Sequence, residues 1–159
     1  MGGLFITYQP LEYRRYIIAM WAISFFPSVL LSILLAAVVP NIEESMPDFD
    51  VPHIHPLAKF VSIVVINPIV ETLLMAAGIY LTARVVRSPW RVALVTGVLW
   101  GGLHSLMAPA WGLIIWWPFF VFACAWITWR RRSWSAAFGA VAAIRALQNF
   151  VPGLLLLLN

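Results

Sequence analysis

A chain of 159 residues that is 63% hydrophobic and only 10% charged, with a mean hydropathy of +0.93, lies outside the composition of soluble globular domains. Its formal charge of +4 is gathered in short clusters at the ends of apolar runs, which argues against a nucleic-acid surface and for orientation in a membrane. The length suits one integral membrane domain over residues 1–159, an all-α polytopic bundle of about five transmembrane helices of roughly 20 residues each.

In chain order, the opening segment 1–16 mixes Glu12, Arg14 and Arg15 with aromatic residues and reads as interfacial. The run that follows is too long for the core of a signal peptide, so it is expected to be retained as a span. Gly2 lacks the hydroxyl residue that a myristoylation motif requires at position 6, which is Ile6. Apolar runs between charged and Pro/Gly boundaries predict spans at Ile17–Val39, Leu57–Ala83, Trp90–Met107, Leu113–Trp129 and Trp134–Leu158.

The loop 40–56 carries Glu43, Glu44, Asp48 and Asp50 and is broken by Pro47, Pro52 and Pro56. The alternation of Asp48, Asp50, His53 and His55 has the spacing of a cation site on an extended strand, but prolines and acids together fit a solvated external loop, and no metal is expected. Arg14, Arg15, Arg84, Arg87, Arg91, Arg130, Arg131 and Arg132 all fall on one side of the predicted spans, which by the positive-inside rule makes the N-terminus cytoplasmic. Lys59 is the exception on the other side. Trp90, Trp129 and Trp134 stand beside those arginines as expected of interfacial anchors. Trp116 and Trp117 are expected to pack against lipid or a neighbouring helix, and Cys124, with no partner in the chain, to be a small buried residue.

Polar groups inside a bilayer are expensive and mark sites. Here they are Glu71, His104 and Arg145, accompanied by Asn67, Gln148 and Asn149. Glu71 and Arg84, His104 and Arg91, and Arg145 and Arg132 are each 13 residues apart, so at a rise of 1.5 Å per residue the three groups lie at one depth, about 20 Å from the basic boundary. Asn149, four residues after Arg145, shares its helix face. Spans two, three and five are therefore expected to build a polar cavity. Pro68 should kink span two near Glu71 and free a backbone carbonyl for water. Gly97 and Gly101 form a GxxxG pair that allows another helix to approach span three.

The segments Pro68-Ile69-Val70-Glu71-Thr72-Leu73-Leu74-Met75-Ala76, Trp100-Gly101-Gly102-Leu103-His104 and Arg145-Ala146-Leu147-Gln148-Asn149 resemble, in order and spacing, the motifs of the CPBP family, the CAAX-protease and bacteriocin-processing group of intramembrane endopeptidases. That family shows a Pro before EExxxR, then FxxxH, then HxxxN. Glu71, His104 and Asn149 match the leading Glu, the second-motif His and the third-motif Asn. Thr72, Ala76, Trp100 and Arg145 depart from the second Glu, the Arg, the Phe and the third-motif His.

The resemblance implies a metal-free, cofactor-free hydrolysis of a peptide bond in a peptide or membrane-protein substrate, in the inner (plasma) membrane of a bacterium or archaeon. Glu71 would activate a water, His104 would orient it or donate to the leaving amine, and Asn149 would hold the oxyanion. Arg145 complicates this, because a guanidinium at the level of Glu71 should pair with it and weaken it as a base. Two alternatives follow: a catalytically degenerate CPBP-like immunity or interaction scaffold, and a small transporter with Glu71 as its ion or proton site.

Overall fold

The computed structural model of the chain describes residues 12–47 and 53–158. Met1–Leu11, which make up most of the expected interfacial segment, and Asp48 and Asp50 of the acidic loop lie outside the described residues. Helix α1 runs over Tyr13–Val38 and ends near Asn41, which takes the left-handed conformation at φ 51° that asparagine tolerates better than most residues. A single 3₁₀ turn, Ile42–Ser45, follows. The second span is continuous over Pro56–Val85, but its hydrogen-bonding pattern changes twice: α2 covers Pro56–Val61, a π turn covers Ser62–Ile66, and α3 covers Asn67–Val85. Then come α4 at Pro89–Ser105, α5 at Pro109–Arg130 and α6 at Trp134–Leu158. The described residues form no strand.

Proline places several of these starts. Pro56, Pro89 and Pro109 each stand in the first turn of a helix, where the missing N–H has no intrahelical partner to lose. Pro109 also fixes the end of α4. The residue before a proline is driven out of the helical region, and Ala108 sits at φ −147°, ψ 101°. The expected span Trp90–Met107 therefore stops at Ser105. At 17 residues α4 is about 25 Å long, short of a hydrocarbon core of about 30 Å. Among the described residues four helices are long and apolar enough to cross a membrane, Tyr13–Val38, Pro56–Val85, Pro109–Arg130 and Trp134–Leu158, and the shorter α4 packs with them in the all-α bundle.

The bundle is built around α5. In its most apolar stretch 72% of the residues are buried, against 17–22% in the other three long helices, whose outer faces carry exposed Leu, Ile, Val and Phe suited to lipid. Helix α4 closes on α5 through glycine. A Cβ at Gly97 would lie 2.8 Å from Phe120 Cβ and one at Gly101 would lie 2.6 Å from Trp116 Cβ, so the GxxxG pair serves this contact. Trp116 and Trp117 pack among helices as expected, and the Trp117 indole N–H donates to the Ile23 carbonyl of α1 at 2.8 Å. Cys124 is fully buried in α5.

Three contacts bring the arginine clusters to one end. Tyr13 at the start of α1 donates to the Ala136 carbonyl of α6 at 3.0 Å. The rings of Tyr13 and Tyr16 meet Trp129 edge-on at 4.6 and 5.5 Å. Pro89 and Ala83 share a groove with Arg130 and Arg131. Trp129 is 2% exposed beneath the two tyrosines, so its ring packs in the core where an interfacial anchor was expected, whereas Trp134 is 47% exposed.

Candidate functional site

The polar groups meet on the inner side of α3 and α6. Arg145 Nη2 donates to Glu71 Oε2 in a direct ion pair. The Arg145 side chain is 3% exposed, whereas that of Glu71 keeps 32%. The guanidinium carbon also lies 4.4 Å from the centre of the Phe119 ring and 4.8 Å from that of Phe122. These rings, three residues apart on α5, face the cation with π density. Nη1 is buried without a hydrogen-bond partner among the described residues, as is Thr72 Oγ1 beside Glu71. The aromatic faces thus replace part of the hydration that the buried cation has lost.

Asn149 is committed elsewhere, and the reason lies in the π turn. In an i→i+5 pattern the carbonyl of Ser62 accepts from the N–H of Asn67, as observed. The next carbonyl, Ile63, would need the N–H of residue 68, which is Pro68 and has none. Asn149 Nδ2 donates to that carbonyl at 3.0 Å. Pro68 does free a backbone acceptor, as its position predicts, but a side chain of α6 satisfies it where water was expected.

His104 lies at the same level without joining the pair. Its Nδ1 bonds to the Trp100 carbonyl at 2.8 Å. A carbonyl can only accept, so Nδ1 is the donor in this bond. The imidazole packs on Phe119 at 5.3 Å, and Trp100 stacks on the same ring at 5.3 Å with planes 8° apart. Phe119 therefore stands in contact with both His104 and Arg145. Among the described residues no hydrogen bond or ion pair joins His104 to Glu71.

The remaining polar residues divide. Gln148 Oε1 accepts from Ser24 of α1 at 2.9 Å, which extends the polar seam to a fourth helix. Asn67 is exposed on the outer face and takes no part. Among the described residues no cluster of His, Cys, Asp and Glu is placed to hold a metal ion. His55 instead caps the start of α2 by accepting from Leu57 N at 3.2 Å.

The site therefore includes parts that its polar residues did not announce. Phe119 and Phe122 come from span four, which the expected cavity left out; their spacing of three was the available signal. The Ile63 carbonyl was signalled only by Pro68, five residues on. Ser24 shows in the sequence only as a hydroxyl amid an apolar run. Comparison with family models, with curated proteins and with solved structures finds no match to this chain.

Proposed function

We propose that this protein is a membrane-embedded interaction scaffold on a CPBP-like arrangement, with Glu71 and Arg145 joining its helices instead of performing hydrolysis. The observation that carries this reading is the direct Glu71–Arg145 pair, with the guanidinium packed against the rings of Phe119 and Phe122. A general base must accept a proton from water. The Glu71 carboxylate already accepts from a guanidinium that is enclosed by aromatic rings, so it is engaged before any water reaches it. The other two groups that the family resemblance assigns to chemistry are occupied as well, Asn149 by the Ile63 carbonyl and His104 by that of Trp100.

Exchanging the charges tests this. Glu71→Arg and Arg145→Glu should each reduce the yield of folded protein, and the double exchange should recover most of it. A structural pair survives such a swap, whereas a catalytic carboxylate does not. Recovery of folded protein and of its cellular phenotype together supports the scaffold. A double variant that folds but loses a proteolytic product made by the original chain overturns it.

The endopeptidase is the second reading, and one observation favours it. The Glu71 side chain keeps 32% exposure, and the hydrogen bond of His104 uses Nδ1 and not Nε2. In this reading Arg145 must part from Glu71 before water is activated. Glu71→Gln protein that folds normally and no longer cleaves a membrane-protein tail would establish it.

A further inference from the structure

A groove of about 670 Å³ runs along the outside of the bundle near its basic end, between α3 and the turn from α5 to α6. Its α3 wall is a helical stripe: Leu73, Ala76, Ala77, Tyr80 and Ala83 follow one another by three or four residues or less. The alanines leave a trough where larger side chains would fill it. Trp126 and Ile127 of α5 form the other wall, and Trp134 closes on Trp126 edge-to-face at 5.8 Å. Arg130 and Arg131, both exposed, stand on the rim.

Leu73, Tyr80 and Leu81 beside the groove are 44–63% exposed on the outer face of a span, so its mouth opens toward lipid. Among the described residues no acidic side chain lines it. Arg84 is already turned to Tyr80, donating to its hydroxyl at 3.0 Å with the guanidinium 4.7 Å from the ring centre. Arg130 and Arg131 are thus the charged residues that line the groove.

We infer that this groove holds one anionic phospholipid, its phosphate on Arg130 and Arg131 and one acyl chain in the alanine trough between α3 and α5. Charge complementarity selects the headgroup, and the apolar floor, continuous with the lipid-facing surface, selects a chain over a soluble anion. The inference is independent of whether the Glu71 site is catalytic, since it uses none of that site's residues.

Native mass spectrometry of the purified full chain, released from detergent with added phosphatidylglycerol or phosphatidylcholine, tests it. Phosphatidylglycerol should be retained as a single bound lipid in preference to phosphatidylcholine. Arg130→Gln with Arg131→Gln should weaken that retention about tenfold or more, while Arg14→Gln with Arg15→Gln at the same end leaves it unchanged. Ala77→Trp should block the trough and reduce retention with both arginines in place, and a folded profile by gel filtration confirms that the variant is informative. Equal retention of the two lipids, or retention indifferent to the Arg130/Arg131 pair, overturns the inference. Displacement of the lipid by an acidic peptide with no acyl chain also overturns it, in favour of a peptide groove.

Discussion

Removing the Arg145 guanidinium gives the sharpest test of how the polar core is held. Arg145→Met keeps most of the side-chain length and packing but leaves the Glu71 carboxylate without its partner. Losing one member of a buried pair costs about 3–5 kcal/mol. The 32% exposure of Glu71 gives the stranded carboxylate some relief, which places the expected loss near the lower figure, about 3 kcal/mol, or roughly a hundredfold in the folded-to-unfolded ratio. Glu71→Gln should cost less, because a neutral amide still accepts from the guanidinium and the cation keeps its two aromatic faces. In the double variant both charges are gone, and the loss should fall well below the sum of the two. Unfolding of the purified protein in mixed micelles, followed by helical signal against denaturing detergent, measures all three. A coupling between the two positions smaller than about 0.5 kcal/mol would refute the reasoning, since contacting residues of one network are expected to exceed it.

Other expectations concern the backbone and the helix contacts. Asn149→Ala should destabilise by about 1–3 kcal/mol by orphaning the Ile63 carbonyl, and the penalty should shrink in a Pro68→Ala background, where the missing N–H is restored; an unchanged penalty there would separate Asn149 from Pro68. Gly112→Ala should pry α4 from α5, because its new methyl group would meet Ser105 Oγ and the Gly101 carbonyl, whereas Gly102→Ala, which meets nothing within 4 Å, should be neutral or stabilising by about 0.5–1 kcal/mol; melting temperatures in detergent rank the two. Ser24→Ala should cost about 0.6 kcal/mol through the lost bond to Gln148, read by the same unfolding curves. Cys124, fully buried, should resist a maleimide in the folded protein and react once denaturant exposes it, so labelling in the native state would contradict the central placement of α5.

Much of the site was legible because distance along a helix converts directly to depth. Equal separations from three arginine clusters placed Glu71, His104 and Arg145 at one level, and Glu71 and Arg145 do meet. Depth says nothing about the angle around the helix axis, however. His104 points to the carbonyl one turn back and to Phe119, and Asn67 turns outward altogether. The aromatic partners of Arg145 carried no polar signal, and a spacing of three on an apolar helix is shared with ordinary packing. The partner of Asn149 is a main-chain atom whose availability depends on the π turn, a local register that apolar periodicity does not encode. The apolar run of α4 outlasts its helix for a related reason: the run continues through Leu106 and Met107, while the helix is ended by the backbone preference imposed on Ala108 by Pro109.

The π turn at Ser62–Ile66 has a consequence beyond the carbonyl it exposes. Such a turn accommodates one more residue than the α turn it replaces, so the two ends of the second span are out of phase by about one position, near 100° of rotation. Phe60 and Val64 can then face Gly153 of α6, where a methyl group would come within 2.6 Å of Val64 Cγ2, while Glu71, Thr72 and Met75 keep their own bearing deeper in the bundle. Deleting a single residue between 62 and 66 would turn the outer segment relative to the inner one as a key turns in a lock, carrying Phe60 away from Gly153 while leaving composition and hydropathy almost untouched.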